Sequence, residues 1–146
     1  MATAAEARAA IDAAFATYIA ELAQAASVWD TKPAGAAEGE DAWCARQVAE
    51  HIAGAGPFFA MGIARACGIE GPAPARVALP DPAAAVDETK RCHGLLMDVV
   101  SKVQDNQLSI EFEAGQLGKQ SVGGLMGVVS YHLNDHANQL KTLRGG

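Results

Sequence analysis

The last long stretch, Ser121 to Arg144 (SVGGLMGVVSYHLNDHANQLKTLR), most limits what this chain can become. Wound as a helix at about 100° per residue, it brings Leu125, Val128, Val129, His132, His136, Leu140 and Leu143 onto roughly one third of its circumference. An apolar stripe of that width must be covered by other elements, and it carries two histidines into the contact. His132 and His136 are one turn apart, and side chains at i and i+4 project over the same surface, so both imidazoles reach one point. A single metal ion can occupy such a point.

Two histidines at this spacing also arise as hydrogen-bonded core residues, so a metal site needs a third ligand from elsewhere. His51 is the candidate. In Asp41 to Ala55 (DAWCARQVAEHIAGA), the residues Cys44, Gln47, Val48, His51 and Ala55 share one helical face. A neutral imidazole turned toward a core must satisfy both ring nitrogens, because an unpaired buried polar group costs about 1–3 kcal/mol. Convergence of His51, His132 and His136 on one ion would satisfy three rings at once.

The remaining composition fits a bundle of helices. Alanine is abundant, aromatic residues are 5% of the chain and β-branched runs are short, which suits close-packed helices better than a sheet. At 146 residues, half of them hydrophobic, the chain supports one domain spanning residues 1–146. The expected class is all-α.

Charge and hydropathy narrow the function. The net charge is −6 and the basic residues are scattered singly, so nucleic acid binding would lack its usual electrostatic attraction. No run approaches the 18 or more apolar residues of a membrane span. The opening MATAAEARAA lacks the basic start and continuous apolar segment of a signal peptide, from which a cytoplasmic protein is expected. Cys44, Cys67 and Cys92 are widely spaced and contain no CxxC pair, so neither a disulfide framework nor a thiolate zinc site is indicated. Cys44, seven residues before His51, either borders the histidine site or packs as a small apolar side chain.

Taken in order, Ala4 to about Ala26 reads as an amphipathic helix with Ile11, Phe15, Tyr18, Ile19 and Leu22 on its stripe. Val28 to Glu40 reads as a connection. Asp41 is expected to cap a second helix with Trp43 in its first turn, about 80° from His51 and therefore a wall rather than a neighbour of the metal point. Gly54, Gly56 and Pro57 are expected to kink or break this helix before it resumes from Phe58 to Ala66.

Gly68 to Pro82 is a long loop. Asp81 followed by Pro82 then starts a third helix, about Pro82 to Gln104, with Val86, His93, Leu96, Met97 and Val100 on one face. His93 thus also points inward, as a core residue bonded to a carbonyl or carboxylate, or as a fourth ligand or a partner to one. Asp105 to Gln120 reads as a loop or arm with a hint of extension at Leu108, Ile110 and Phe112. Ser121 caps the final helix.

Trp43 followed eight residues later by His51, together with HLNDHANQL at residues 132–140 and this order of helices, resembles the DinB-like family, also called the YfiT-like metal hydrolases. The resemblance covers nearly the whole chain. It implies an antiparallel four-helix bundle with up-down-down-up connectivity, whose long crossover between the second and third helices matches Gly68 to Pro82. It also implies a three-histidine site at His51, His132 and His136 for a divalent metal, commonly zinc or nickel. Similar proteins use such a metal in hydrolysis or to activate a low-molecular-weight thiol.

The functional expectation is a metal-dependent hydrolase or thiol transferase acting on a small molecule, with a homodimer as the expected assembly. The rival is a non-catalytic binding or oligomerisation module whose core histidines are hydrogen-bonded. Glu50 and Asp135 each precede a candidate ligand, and therefore point about 100° away from it toward solvent or another helix. Gln47 and Gln139, one turn and seven residues from His51 and His132, are better placed to line the site.

Overall fold

The computed structural model describes residues 3–35, 38–72 and 78–145. Its helices are α1 (Ala4–Leu22), α2 (Ala45–Cys67), α3 (Pro82–Val100) and α4 (Val122–Leu143), with a two-stranded hairpin, β1 (Glu111–Glu113) and β2 (Lys119–Ser121), between the last two. α1 packs mainly along α4, and α2 mainly along α3; α2 also touches α4, and the histidines meet at that contact. Apolar side chains from all four helices form one core, including Ile11 and Leu22, Val48 and Ile63, Leu96 and Val99, and Leu125 and Leu140.

Local chemistry sets several boundaries. Thr3, Asp81 and Ser121 each accept a bond from a backbone amide three residues on, at the starts of α1, α3 and α4. Gly68 ends α2 in the left-handed conformation (φ 67°), which costs a residue without Cβ little. The Trp29 indole donates to the Pro80 carbonyl at 3.0 Å and its own carbonyl accepts from Arg46, so one buried side chain ties the start of α2 to the approach to α3. The expected loop from Gly68 to Pro82 is described at its two ends, and residues 73–77 lie outside the described residues.

Four expectations change. First, α2 does not break at Gly54, Gly56 and Pro57, and runs unbroken from Ala45 to Cys67. An interior proline costs about 3 kcal/mol. Ten buried residues along α2, Pro57 among them, outweigh it, because tertiary packing rather than intrinsic propensity holds most protein helices. Second, Cys44 rather than Asp41 is the N-cap of α2, and Asp41 lies in a short 3₁₀ turn over Glu40–Ala42.

Third, α3 stops at Val100 and buries Ala85, Thr89, Cys92, Leu96, Val99 and Val100, a seam that keeps Leu96 and Val100 of the expected face and leaves Val86, His93 and Met97 partly buried at its edge. Small side chains let α2 come close there: a Cβ placed on Gly56 would lie 3.7 Å from the Cys92 carbonyl oxygen. Fourth, the presumed arm is a hairpin, with Phe112 paired to Gln120 and Glu113 to Lys119. Its last residue, Ser121, is also the cap of α4. The Val122 and Gly123 amides donate to Ile110 and Leu108, fixing where that helix begins.

Candidate metal centre

The structure brings His51, from the second turn of α2, together with His132 and His136 of α4. One ring nitrogen from each lies within 4.8 Å of the others, so the three can hold a metal ion. His51 Nε2 and His132 Nε2 are 2.9 Å apart. Metal–nitrogen bonds of about 2.0–2.1 Å place ligands roughly 2.9 Å apart on an octahedral ion and 3.3 Å apart on a tetrahedral one, so the His51–His132 pair already has ligand spacing and His136 would close the remainder.

His136 carries the most information. It is 1% exposed, and its Nε2 has no hydrogen-bond partner. Its Nδ1 lies 2.7 Å from Gln139 Oε1, while the amide nitrogen of Gln139 donates to the Glu40 carbonyl at 2.7 Å. A carbonyl only accepts, so the NH2 of Gln139 must face Glu40 and its oxygen must face the imidazole. When the ring is neutral, Nδ1 therefore carries the proton and Nε2 keeps a bare lone pair with no hydrogen-bond partner. This is the tautomer a metal ligand requires, set by an outer partner of the ligand.

The rings are also held from outside. Trp43 packs against His51 at 5.0 Å and against His136 at 6.2 Å between centroids, and Phe59 meets His132 edge-on at 5.6 Å. Trp43 was expected on a helical wheel and away from the metal point. It lies before the helix in extended backbone (ψ 141°), so the wheel does not apply and the indole folds back over two imidazoles. Glu40 escaped the sequence reading altogether, since its contribution is a backbone carbonyl, which no side-chain pattern encodes.

Burial favours the neutral form of two of the three rings. Burial, followed by the adjacent His136 and His51 rings, pushes His132 down from 6.5 to about 4. Burial and His136 also lower His51, against a smaller opposing pull from Glu40. Neutral imidazole is the ligating form. Three ordinary imidazoles would together lose roughly a thousandfold in metal affinity between pH 7 and pH 5.5, about tenfold each from proton competition. Because two of these rings resist protonation, the loss over that interval is predicted to fall well short of this. A calorimetric series reaching the full thousandfold would contradict the neutral-site account.

The other sequence candidates fall elsewhere. His93 bonds Asp12 Oδ1 at 2.9 Å and stacks on Phe15 at 3.7 Å, which matches its reading as a carboxylate-bonded histidine and places it outside the triad. Gln47 accepts from the Cys44 backbone amide and serves the helix start rather than the site. Cys44 is buried at that start. Glu50 pairs with Arg46, and Asp135 is exposed.

Comparison with protein-family models, with curated proteins and with solved structures finds no match to this chain. Among the described residues, no helix is long and apolar enough to cross a membrane.

Gln139 supplies a direct check. In Gln139→Leu the Nδ1 partner is lost and the tautomer is no longer dictated. Metal affinity is predicted to fall about 10–100-fold, the usual cost of removing such an outer partner. Unchanged affinity on competition with a chromogenic chelator would show that the Glu40–Gln139 chain does not orient the ring.

Proposed function

We propose that this protein is a divalent-metal-binding protein of the DinB-like type, a metal-dependent enzyme acting on a small molecule by hydrolysis or thiol transfer. The observation that carries the reading is the buried, unpartnered Nε2 of His136, left without a proton in the neutral tautomer that Gln139 and Glu40 select, in a ring clustered with two further imidazoles. A buried nitrogen in this state is costly unless something electrophilic meets its lone pair.

The donor set suits zinc or nickel, since neutral imidazoles favour borderline divalent ions over calcium or magnesium. Three protein ligands leave at least one position open, and an ion held there supplies Lewis acidity toward water, a carbonyl or a thiol. The chain's own contribution is to hold His51 and His132 neutral, set the His136 tautomer and wall the site with Trp43 and Phe59. The arrangement of four helices, the Trp43–His51 spacing and the His132–His136 pair all accord with the DinB-like resemblance.

Elemental analysis of protein purified without a histidine tag tests the proposal. About one zinc or nickel ion per chain is the expected result. A protein that emerges empty and takes up neither ion from a buffered excess would leave the reading without support.

A further inference from the structure

Beside the triad lies a narrow slot, with a cavity volume of about 20 Å³ and an open mouth, to which all four helices contribute walls. Phe15, Ile52, Gly56, Phe59 and Thr89 line it, and of the three triad imidazoles only His132 does. Trp43 closes a different side of the triad, against His51 and His136. The slot therefore adjoins the side of the centre that Trp43 leaves uncovered.

Its polar groups are few. His93 is engaged by Asp12 and by the face of Phe15, and the Cys92 thiol donates to Glu88. Thr89 is different. It is 2% exposed, lines the slot, and its hydroxyl has no hydrogen-bond partner among the described residues. A threonine within a helix ordinarily returns its proton to the carbonyl one turn back, and Thr89 does not. A buried hydroxyl left in this state is free to bond with whatever occupies the slot, a water or a ligand group.

We propose that this slot is the substrate pocket of the metal centre and takes a slender, mostly apolar molecule. Its metal-binding head lies at His132, its short chain runs between Ile52 and Phe59, and its remote hydroxyl or carbonyl pairs with Thr89. The proposal rests on the metal-binding reading. It adds a substrate class, and it names Thr89 as a residue that determines specificity. Pockets of this kind are apolar with a small number of placed polar groups, and a narrow one excludes branched or bulky substrates.

The test uses zinc-loaded protein and calorimetry with straight-chain hydroxamates from acetohydroxamate to hexanohydroxamate, and with their counterparts bearing a terminal hydroxyl. Zinc content is measured for every variant. Affinity is expected to rise about fourfold per methylene until the slot is filled and then to level off. At the best length the terminal hydroxyl should add about tenfold, the value of one hydrogen bond that rescues a buried group. Thr89→Val should abolish that tenfold gain, so that hydroxylated and plain chains of equal length bind alike. Ala55 of α2 also lines the slot, and Ala55→Leu, which fills it, should flatten the length series.

Full zinc content with no dependence on chain length would overturn the slot and leave the metal centre standing. Failure to bind zinc would overturn both. A length series that A55L leaves intact would place the chain elsewhere, and a hydroxyl gain that survives in T89V would remove Thr89 from recognition.

Discussion

His136→Ala is expected to abolish metal binding at micromolar protein and metal. Binding free energies of about 10–16 kcal/mol for structural zinc, shared among four ligands, assign roughly 3 kcal/mol to each, more than a hundredfold in affinity. His136 is also the ring whose tautomer is preset, so its removal discards the best-oriented ligand. Because His136 is buried, the variant leaves a cavity that itself lowers stability. His132→Ala and His51→Ala, at half-buried positions, make the same test with less disturbance of the core. All three variants should emerge free of metal, and retention of a stoichiometric ion by any of them would remove that ring from the centre. In metal-free H136A, His51 and His132 lose a neighbour that lowers both, so their titration by NMR should move up toward the ordinary 6.5.

Saturating zinc or nickel is expected to stabilise the fold by about 4 kcal/mol at a thousandfold excess over Kd. For a chain of this size that corresponds to a rise in Tm of roughly 10 °C. The ion would join α2 to α4 through residues 81 positions apart, and binding of that kind is available to the folded state far more than to the unfolded one. Chelation should return Tm to the metal-free value, and H136A should show no response to either treatment. The rival reading, a binding module whose histidines are hydrogen-bonded, draws on the 2.9 Å contact between His51 and His132. It requires the same Tm with and without chelator, and such a result in scanning calorimetry would favour it.

The metal-free protein should also respond to acid in a defined direction. His132 has a folded value of about 4 against 6.5 when unfolded. Above pH 6.5 the ring is neutral in both states. As pH falls from 6.5 toward 4 the unfolded chain takes up a proton that the folded chain refuses, so folding stability declines through that window and the decline from this group ends below it. Bound metal, which requires the neutral ring, should extend the decline to lower pH while its upper edge stays at the unfolded value. Urea titrations at pH 7 and pH 5 with and without metal measure both effects, and equal stability at the two pH values without metal would contradict the depressed value.

Much of the frame could be read from the chain because the relevant physics is local. The stripe of Ile11, Tyr18 and Leu22 marks α1, Asp81 and Pro82 announce α3, and Ser121 opens α4; each depends on residues within a turn or two of one another. The three histidines could be proposed for the same reason, since helical periodicity alone sets which side chains share a face. What periodicity cannot supply is the balance between distant terms. Pro57 reads as a break until the packing of α2 against α3 outweighs its cost, and the buried seam of α3 follows Cys92 because Gly56 lets α2 approach on that side.

The site divides in the same way. Its three imidazoles were legible in the spacing of His132 and His136 and in the inward face of His51. Only the tertiary structure turned Trp43 over two of those rings, carried the Glu40 carbonyl to Gln139, and left the Thr89 hydroxyl without a partner inside an apolar slot. These depend on backbone groups and on segments that meet through space, where a contact is decided by the whole packing rather than by neighbours in the chain. A sequence can place a ligand on a face. Which nitrogen of neutral His136 carries the proton was decided by a carbonyl nearly a hundred residues away.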